Sequence, residues 1–331
     1  MVASWMKKIS TTATLPFNTL TCTKNCLDEG GGCTMSVLIV GSIAYDSVQS
    51  PAGSVERALG GSATYGGLSC QFVQAMNAKS TTGLVGVVGE DFTDDDRSIL
   101  SSAGINLDGL EVAPGETFRW EGSYQGSMAE AETHATHLNV FEHFQPVVPA
   151  HWKHPSVLFC ANLHPDIQRV VIEQTTPNRL TMLDSMNLWI TIAKPSLMDV
   201  MTAADLVIIN DGEARMLSED ANLIRAMHHL AERTETTTLI VKRGEHGVVA
   251  LHEGELLALP AVPTADVVDP TGCGDTFAGA LAAHLSNGNG PISLAELRSG
   301  LMVATVMASF TLEAFGTEAL RNLEQGRLNS D

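Results

Sequence analysis

Short apolar runs recur along this chain, each too brief for a helix and too apolar to face water on either side. Val37-Leu38-Ile39-Val40 is the first, closed by Gly41. Leu84-Val85-Gly86-Val87-Val88, Val157-Leu158-Phe159-Cys160, Leu180-Thr181-Met182-Leu183, Leu206-Val207-Ile208-Ile209 and Leu239-Ile240-Val241 follow. A strand with no polar face is buried on both sides, as in a parallel sheet covered by helices. Stretches of 3.6-residue periodicity lie between several of these runs. The alternation predicts an α/β fold with a mainly parallel sheet and helices on both faces. No repeat of fixed period interrupts it.

Two regions break the alternation. Residues 44–59 and 111–140 are richer in Thr, Gly and Tyr and carry short alternating stretches. Thr117-Phe118-Arg119-Trp120 and, further on, Gly247-Val248-Val249-Ala250-Leu251 read as hairpin strands. The first two regions predict a small β-sheet standing off the main domain, a candidate lid. Residues 1–34 are rich in Thr, Ser and Gly and show no sustained period. Met35 stands just before the first strand, so these residues read as an extension upstream of a start at Met35. A targeting peptide is the other reading, but the segment after Lys7-Lys8 is too polar for a secretory core. The folded domain is expected over 36–325.

The charge balance excludes some partners. Nineteen Lys and Arg against 38 Asp and Glu give a net charge of −19. Such a chain repels a nucleic-acid backbone and an anionic membrane, though not a small phosphorylated ligand held in a local pocket. No apolar run reaches the 18 residues that a spanning helix needs. Six Cys without a framework spacing fit a reducing cytoplasm. Cys22, Cys26 and Cys33 crowd together but lack paired C-x-x-C spacing and a fourth ligand, so no zinc site is expected. The His residues between His134 and His164 match no standard metal spacing. There is no G-x-x-x-x-G-K, no G-x-S-x-G and no H-E-x-x-H.

The segment carrying chemistry is Asp269-Pro270-Thr271-Gly272-Cys273-Gly274-Asp275-Thr276-Phe277-Ala278. After Asp275 the apolar residues fall at 277, 278, 281, 282 and 285, one face of a helix. Gly272-Cys273-Gly274 therefore enters a helix whose first N–H groups are unpaired, an anion hole reinforced by the helix dipole. Asp275 stands beside that hole and can accept a proton from a hydroxyl. Phosphoryl transfer to an alcohol is one reading. An Asp-capped helix after a glycine turn is the other.

These residues resemble the C-terminal signature of the ribokinase/PfkB carbohydrate kinases, and further motifs resemble that family in order. Gly41-Ser42-Ile43-Ala44-Tyr45-Asp46 is similar to its first strand and substrate Asp. Leu59-Gly60-Gly61-Ser62-Ala63 is similar to its Gly-Gly signature, and Gly86-Val87-Val88-Gly89-Glu90-Asp91 to its G-x-V-G-x-D turn. Asp184-Ser185-Met186-Asn187, Asn210-Asp211-Gly212-Glu213 and Lys242-Arg243-Gly244-Glu245-His246-Gly247 are similar to D-x-N, N-x-x-E and the nucleotide loop. The resemblance spans about 36–320 and implies a Rossmann-like α/β core with a small β-sheet lid, and an ATP-dependent kinase acting on a sugar, with a nucleoside as the alternative acceptor. It implies Asp275 as base, with the N–H groups of Gly272, Cys273 and Gly274 as the hole. Asp46, Gly60 and Gly61 would bind the acceptor. Glu213 with Asn210 would hold Mg²⁺ through water, and Asn187, Lys242, Gly244 and Gly247 would contact ATP. Asp269 and Thr271 sit where members bind K⁺. A homodimer through paired lids is also implied.

Each assignment has a plainer reading. Asp46 could cap a turn. Asn210 and Glu213 could form a capping arrangement. Gly244 and Gly247 could serve a hairpin. Arg119 could bind substrate or be a solvated strand charge. The resemblance also departs at two positions. Tyr65 stands where many members place a sugar-binding Asn, which predicts room for a larger or stacked acceptor. Cys273 replaces the usual Ala, which predicts a thiol of lowered pKa beside the hole. A silent ligand-binding homologue is a rival reading. A dinucleotide oxidoreductase is disfavoured because G-x-G-x-x-G is absent after the first strand.

Overall fold

The computed structural model describes residues 36–75 and 80–324. The expectations for residues 1–34, including Cys22, Cys26 and Cys33, lie outside them. Thirteen strands are present among the described residues: β1 Val37–Val40, β2 Ala44–Ser50, β3 Gly53–Gly60, β4 Thr82–Gly89, β5 Asn106–Ala113, β6 Phe118–Tyr124, β7 Ala131–His137, β8 Val157–Cys160, β9 Leu180–Asp184, β10 Leu206–Asn210, β11 Thr238–Lys242, β12 Val248–His252 and β13 Glu255–Leu259. Nine form one sheet in the order β13-β12-β11-β10-β9-β8-β1-β4-β5. All pairs from β11 to β5 are parallel; β12 and β13 extend the edge as an antiparallel hairpin.

The six apolar runs are β1, β4, β8, β9, β10 and β11, and period-two alternation divides their side chains between two cores. Ile39, Phe159, Met182, Ile208 and Ile240 face one core. It is closed by helices α1 (Ser62–Ala75), α3 (Cys273–Ser286) and α4 (Leu294–Thr311). Leu183, Val207, Ile209 and Val241 face a second core, with Leu38, Leu158 and Cys160 in a third cluster beside it. Helix α2 (Asp211–Ser218) is among those closing that side, through Ala214 and Leu217.

A second sheet has the order β3-β2-β6-β7, with β2 parallel to β6. Glu111–Ala113, within the lid range read from the sequence, end β5 of the large sheet instead. The small sheet thus begins its second half at Phe118.

Two contacts position the site. Helices α1 and α3 meet backbone to backbone: a β-carbon on Gly279 would overlap the Gly66 carbonyl. The Ser69 hydroxyl donates to the Thr276 carbonyl at 2.7 Å, fixing the first turn of α3 along α1. The chain reverses its direction of strand addition between β1 and β8, and ligands of open α/β sheets bind outside the carboxyl ends of strands at such a switch.

Candidate active site

Asp184, Asn210 and Lys242 end three adjacent parallel strands, β9, β10 and β11. Lys242 reaches across the end of β10 to place its Nζ 3.0 and 3.2 Å from the two Asp184 oxygens. The same ammonium stands over the start of α3, where a β-carbon on Gly274 would lie 2.8 Å from it. Burial alone would lower the Lys242 pKa, but Asp184, Glu213 and Asp275 outweigh it and the ammonium is held charged. One cation thus serves three carboxylates at the point where α3 begins.

Gly272 precedes α3 with φ +77°, a left-handed conformation suited to glycine. The Cys273 N–H is turned back to the Pro270 carbonyl at 3.2 Å, so it is engaged in the turn. This corrects its expected place in the anion hole. The Gly272 and Gly274 amides carry no such bond among the described residues. The Cys273 thiol also differs from expectation. It points inward, 3.5 Å from the Ala308 carbonyl, and burial pushes its pKa up, with Asp269 and Asp275 adding to the rise. The helix dipole acts on the amides, whereas the sulfur lies among α4 atoms.

Asp275 occupies the first turn of α3. Burial and then the Asp184 charge push its pKa up to about 7, against Lys242 and its own amide. Asp46 is 4% exposed on β2. Its carboxylate lies over Gly60, where a β-carbon would overlap it. Burial pushes Asp46 up to about 7 as well; Asp269 and Asp275 add to this and the Gly61 amide opposes it. Gly61 has φ +92°, and a β-carbon there would meet the Ser42 carbonyl at 2.5 Å and the Ala44 nitrogen at 2.8 Å. The Gly-Gly pair is required by Asp46 on one residue and by the β1–β2 connection on the other.

Glu213 and Asn210 form the full capping box that their spacing allows. Asn210 N–H and Nδ2 donate to Glu213 at 2.8 and 2.7 Å, and Glu213 N–H donates to Asn210 Oδ1 at 2.8 Å. Burial raises Glu213 to about 7 despite Lys242, the Asn210 amide and the Asn187 amide. Asn187 opens the short helix Asn187–Ile192 with its side chain exposed. Gly244 and Gly247 (φ +52° and +82°) make the turn joining β11 to β12, closed by Arg243 N–H on the Gly247 carbonyl at 2.8 Å. This turn stands at the carboxyl end of β11, beside Lys242.

Asp269 is 1% exposed and both its oxygens are used: Oδ1 accepts from Thr271 N–H at 2.9 Å and Oδ2 from Gly316 N–H at 3.1 Å. Thr271 Oγ1 donates to Tyr124 Oη at 3.2 Å. These side chains staple the loop. Each Asp269 oxygen accepts one hydrogen bond and keeps a further lone pair.

Two acceptor residues expected from the sequence sit elsewhere. Tyr65 is 1% exposed, with its ring pressed against Gly272 and its hydroxyl buried without a partner. It floors the anion loop and offers no face for stacking. Arg119 pairs in register with Tyr45, while Asp46 pairs with Trp120. Arg119 therefore points to the side of the small sheet opposite Asp46, and its guanidinium is taken by Glu116 (3.1 Å) and Asp91 (3.4 Å). Asp91 also accepts from Arg57 at 3.0 Å and from the Thr117 N–H and hydroxyl, each at 2.7 Å. The G-x-V-G-x-D turn thereby ties the small sheet to the core. The His pairs do not converge: no group of three His, Cys, Asp or Glu suited to a metal occurs among the described residues.

Residues 34–322 match the pfkB family carbohydrate kinases. The chain belongs to that family. This pfkB kinase is 25% identical over 263 residues to the cytidine kinase of Thermococcus kodakarensis, covering 77% of this chain and 90% of that one. Its fold superposes on the Burkholderia thailandensis nucleoside kinase in complex with inosine at TM-score 0.72, with 18% identity over 89% of this chain and 95% of that one. It superposes on a Vibrio cholerae fructokinase, in its fructose, ADP and potassium ion bound form, at TM-score 0.74, with 15% identity over 91% and 99%. Membership makes the protein a phosphotransferase with a hydroxyl acceptor. Among the described residues no helix is long and apolar enough to cross a membrane.

Proposed function

We propose that this kinase transfers the γ-phosphoryl of ATP to a hydroxyl of an uncharged sugar, either free or as part of a nucleoside. The observation carrying this reading is the start of α3. There Asp275, the Gly272 and Gly274 amides and the Lys242 ammonium meet, with Asp46 near enough to feel the Asp275 charge. Asp46 accepts a hydrogen bond from the acceptor and orients it. Asp275 takes the proton of the attacking hydroxyl. The acceptor oxygen forms a bond to the γ-phosphorus as the bond to the bridging oxygen breaks, and ADP leaves. The Gly272 and Gly274 amides and Lys242 stabilise the charge on the transferring group.

Glu213, with both oxygens held by Asn210, fits a Mg²⁺ that arrives on the nucleotide with its water shell; the described residues contain no cage for a bare ion. When bound, Mg²⁺ would neutralise charge on the ATP phosphates. Asn187 and the Gly244–Gly247 turn would line the nucleotide side.

The acceptor side argues for a neutral compound. Asp46, Asp269 and Asp275 share it, and both lid-base arginines are neutralised by Asp91 and Glu116. Phosphosugars and sugar acids would meet Asp46 and Asp269, which no Lys or Arg pairs among the described residues. The test is ADP release from MgATP with a panel of sugars, nucleosides and phosphosugars, with Asp275→Asn alongside. One neutral acceptor should stimulate turnover, and the Asn variant should lose it by about 10²–10⁴-fold while still binding ATP. ATP binding with no stimulation across the panel would instead favour the ligand-binding homologue.

A further inference from the structure

Trp120 lies on the same face of the small sheet as Asp46, its direct register partner across the parallel β2–β6 pair. Two residues on, Gly122 has no side chain, and the Trp120 ring lies down over it: a β-carbon there would overlap the outer atoms of the indole. The ring is pinned edgewise, its Nε1 donating to Thr133 Oγ1 on β7 at 3.2 Å. Two residues further, Tyr124 on the same face reaches Thr271, one residue before Gly272. This face of the lid therefore runs from Asp46 to the phosphate loop, with an indole laid flat between them. Trp120 is half-buried, so the ring is not sealed into a core.

We propose that Trp120 is a stacking platform for a planar ring on the acceptor, and that the acceptor is a nucleoside. An indole held parallel to its sheet presents one π-face to the sheet and the other to the cleft. A heterocyclic base stacks on such a face through its whole π-surface, worth about 1–3 kcal/mol per base. Asp46, one strand away, is then left for a ribose hydroxyl. Gly122 and Thr133 act by position: the first lets the ring lie down and the second stops it from rotating. Among the described residues the arginines of this sheet, Arg57 and Arg119, are both paired with carboxylates, which favours an unphosphorylated base-bearing acceptor. This inference rests on the kinase reading only for the identity of the reaction; the platform itself is a binding feature.

The test compares wild type, Trp120→Leu, Trp120→Phe and Gly122→Ala. Binding of cytidine, inosine, adenosine and ribose is measured by calorimetry without ATP, and kcat and KM are measured with MgATP. Trp120→Leu should lower nucleoside affinity about 10- to 100-fold, seen as a rise in KM rather than a fall in kcat, and at least tenfold more than it lowers affinity for ribose. Trp120→Phe should restore most of the loss. Gly122→Ala, which lifts the ring, should reproduce the Leu phenotype. Equal losses for ribose and nucleosides, or no nucleoside binding by wild type, would overturn the proposal. If nucleosides bind and lose affinity in Trp120→Leu while no acceptor stimulates ADP release, the platform stands and the kinase reading fails.

Discussion

The Tyr65 ring packs face-on against Gly272, close enough that a β-carbon on Gly272 would overlap three of its atoms. Gly272 is thus constrained twice, by its φ of +77° and by the ring beneath it. Gly272→Ala should cost about 2–4 kcal/mol of stability and lower kcat at least 100-fold, because the displaced turn misplaces the amides. Tyr65→Phe keeps the ring and removes a buried hydroxyl that has no partner. Its melting temperature should equal or exceed that of wild type, whereas Tyr65→Ala should lose about 3–5 kcal/mol. Thermal melts with steady-state kinetics separate the three. A Tyr65→Phe variant that melts well below wild type would show that the hydroxyl is bonded after all.

Asp275 and Asp46 both titrate near pH 7 in the folded protein. As a base, Asp275 must be ionised, so kcat/KM should fall about tenfold per pH unit below 7. Stability runs the other way. A carboxylate whose folded pKa is raised above its unfolded value favours the folded state at low pH, and that contribution is lost as pH rises from about 4 through 7. The melting temperature of the ligand-free protein should therefore fall between pH 6 and 8. Asp275→Asn should flatten that fall and melt higher than wild type at pH 8 while inactive. A wild-type melting curve flat across this range contradicts the assignment.

Asp91 gathers Arg57, Arg119 and both donors of Thr117. Its burial alone would raise its pKa, but the Thr117 and arginine contacts outweigh it and hold the carboxyl below its usual range. Asp91→Ala should release the lid base. The expected outcome is an acceptor KM raised at least tenfold, and ADP release without acceptor increased, since an unlatched lid admits water. Unchanged KM with a lowered melting temperature would reduce Asp91 to a purely structural tie.

Cys273 should be inert. Its thiol, like those of Cys70 and Cys160, is held protonated by burial. Native alkylation at pH 8 followed by peptide mass spectrometry should find these three cysteines unmodified, with or without ATP. Cys273→Ala should keep kcat within about threefold, because the thiol points into the protein against the Ala308 carbonyl and away from the Gly272 and Gly274 amides. Rapid alkylation of Cys273 would reverse this conclusion.

The sheet was legible because each buried strand is an apolar run of the right length, and the glycine signatures because glycine marks where backbone must come close. Asp275 was legible because the helical face begins just after it. What the sequence withheld concerns direction across elements. Tyr65 lies 207 residues before Gly272, and nothing local says which α1 face meets α3. Lys242 and Asp184 end strands separated by β10, so their pairing depends on strand order. Arg119 and Trp120 are neighbours that must face opposite ways, yet only the register with β2 reveals which one joins Asp46. The Trp120-x-Gly122 spacing was a signal that could have been read, since an aromatic two residues from a glycine on a strand has room to lie flat.

The Gly66–Gly279 contact has an evolutionary consequence. The helix that follows the Gly-Gly pair and the helix that carries Asp275 touch through main chain, so no change of side-chain size can move one against the other. In this chain a new acceptor would therefore be fitted by reshaping the small sheet over a floor whose spacing the two glycines set.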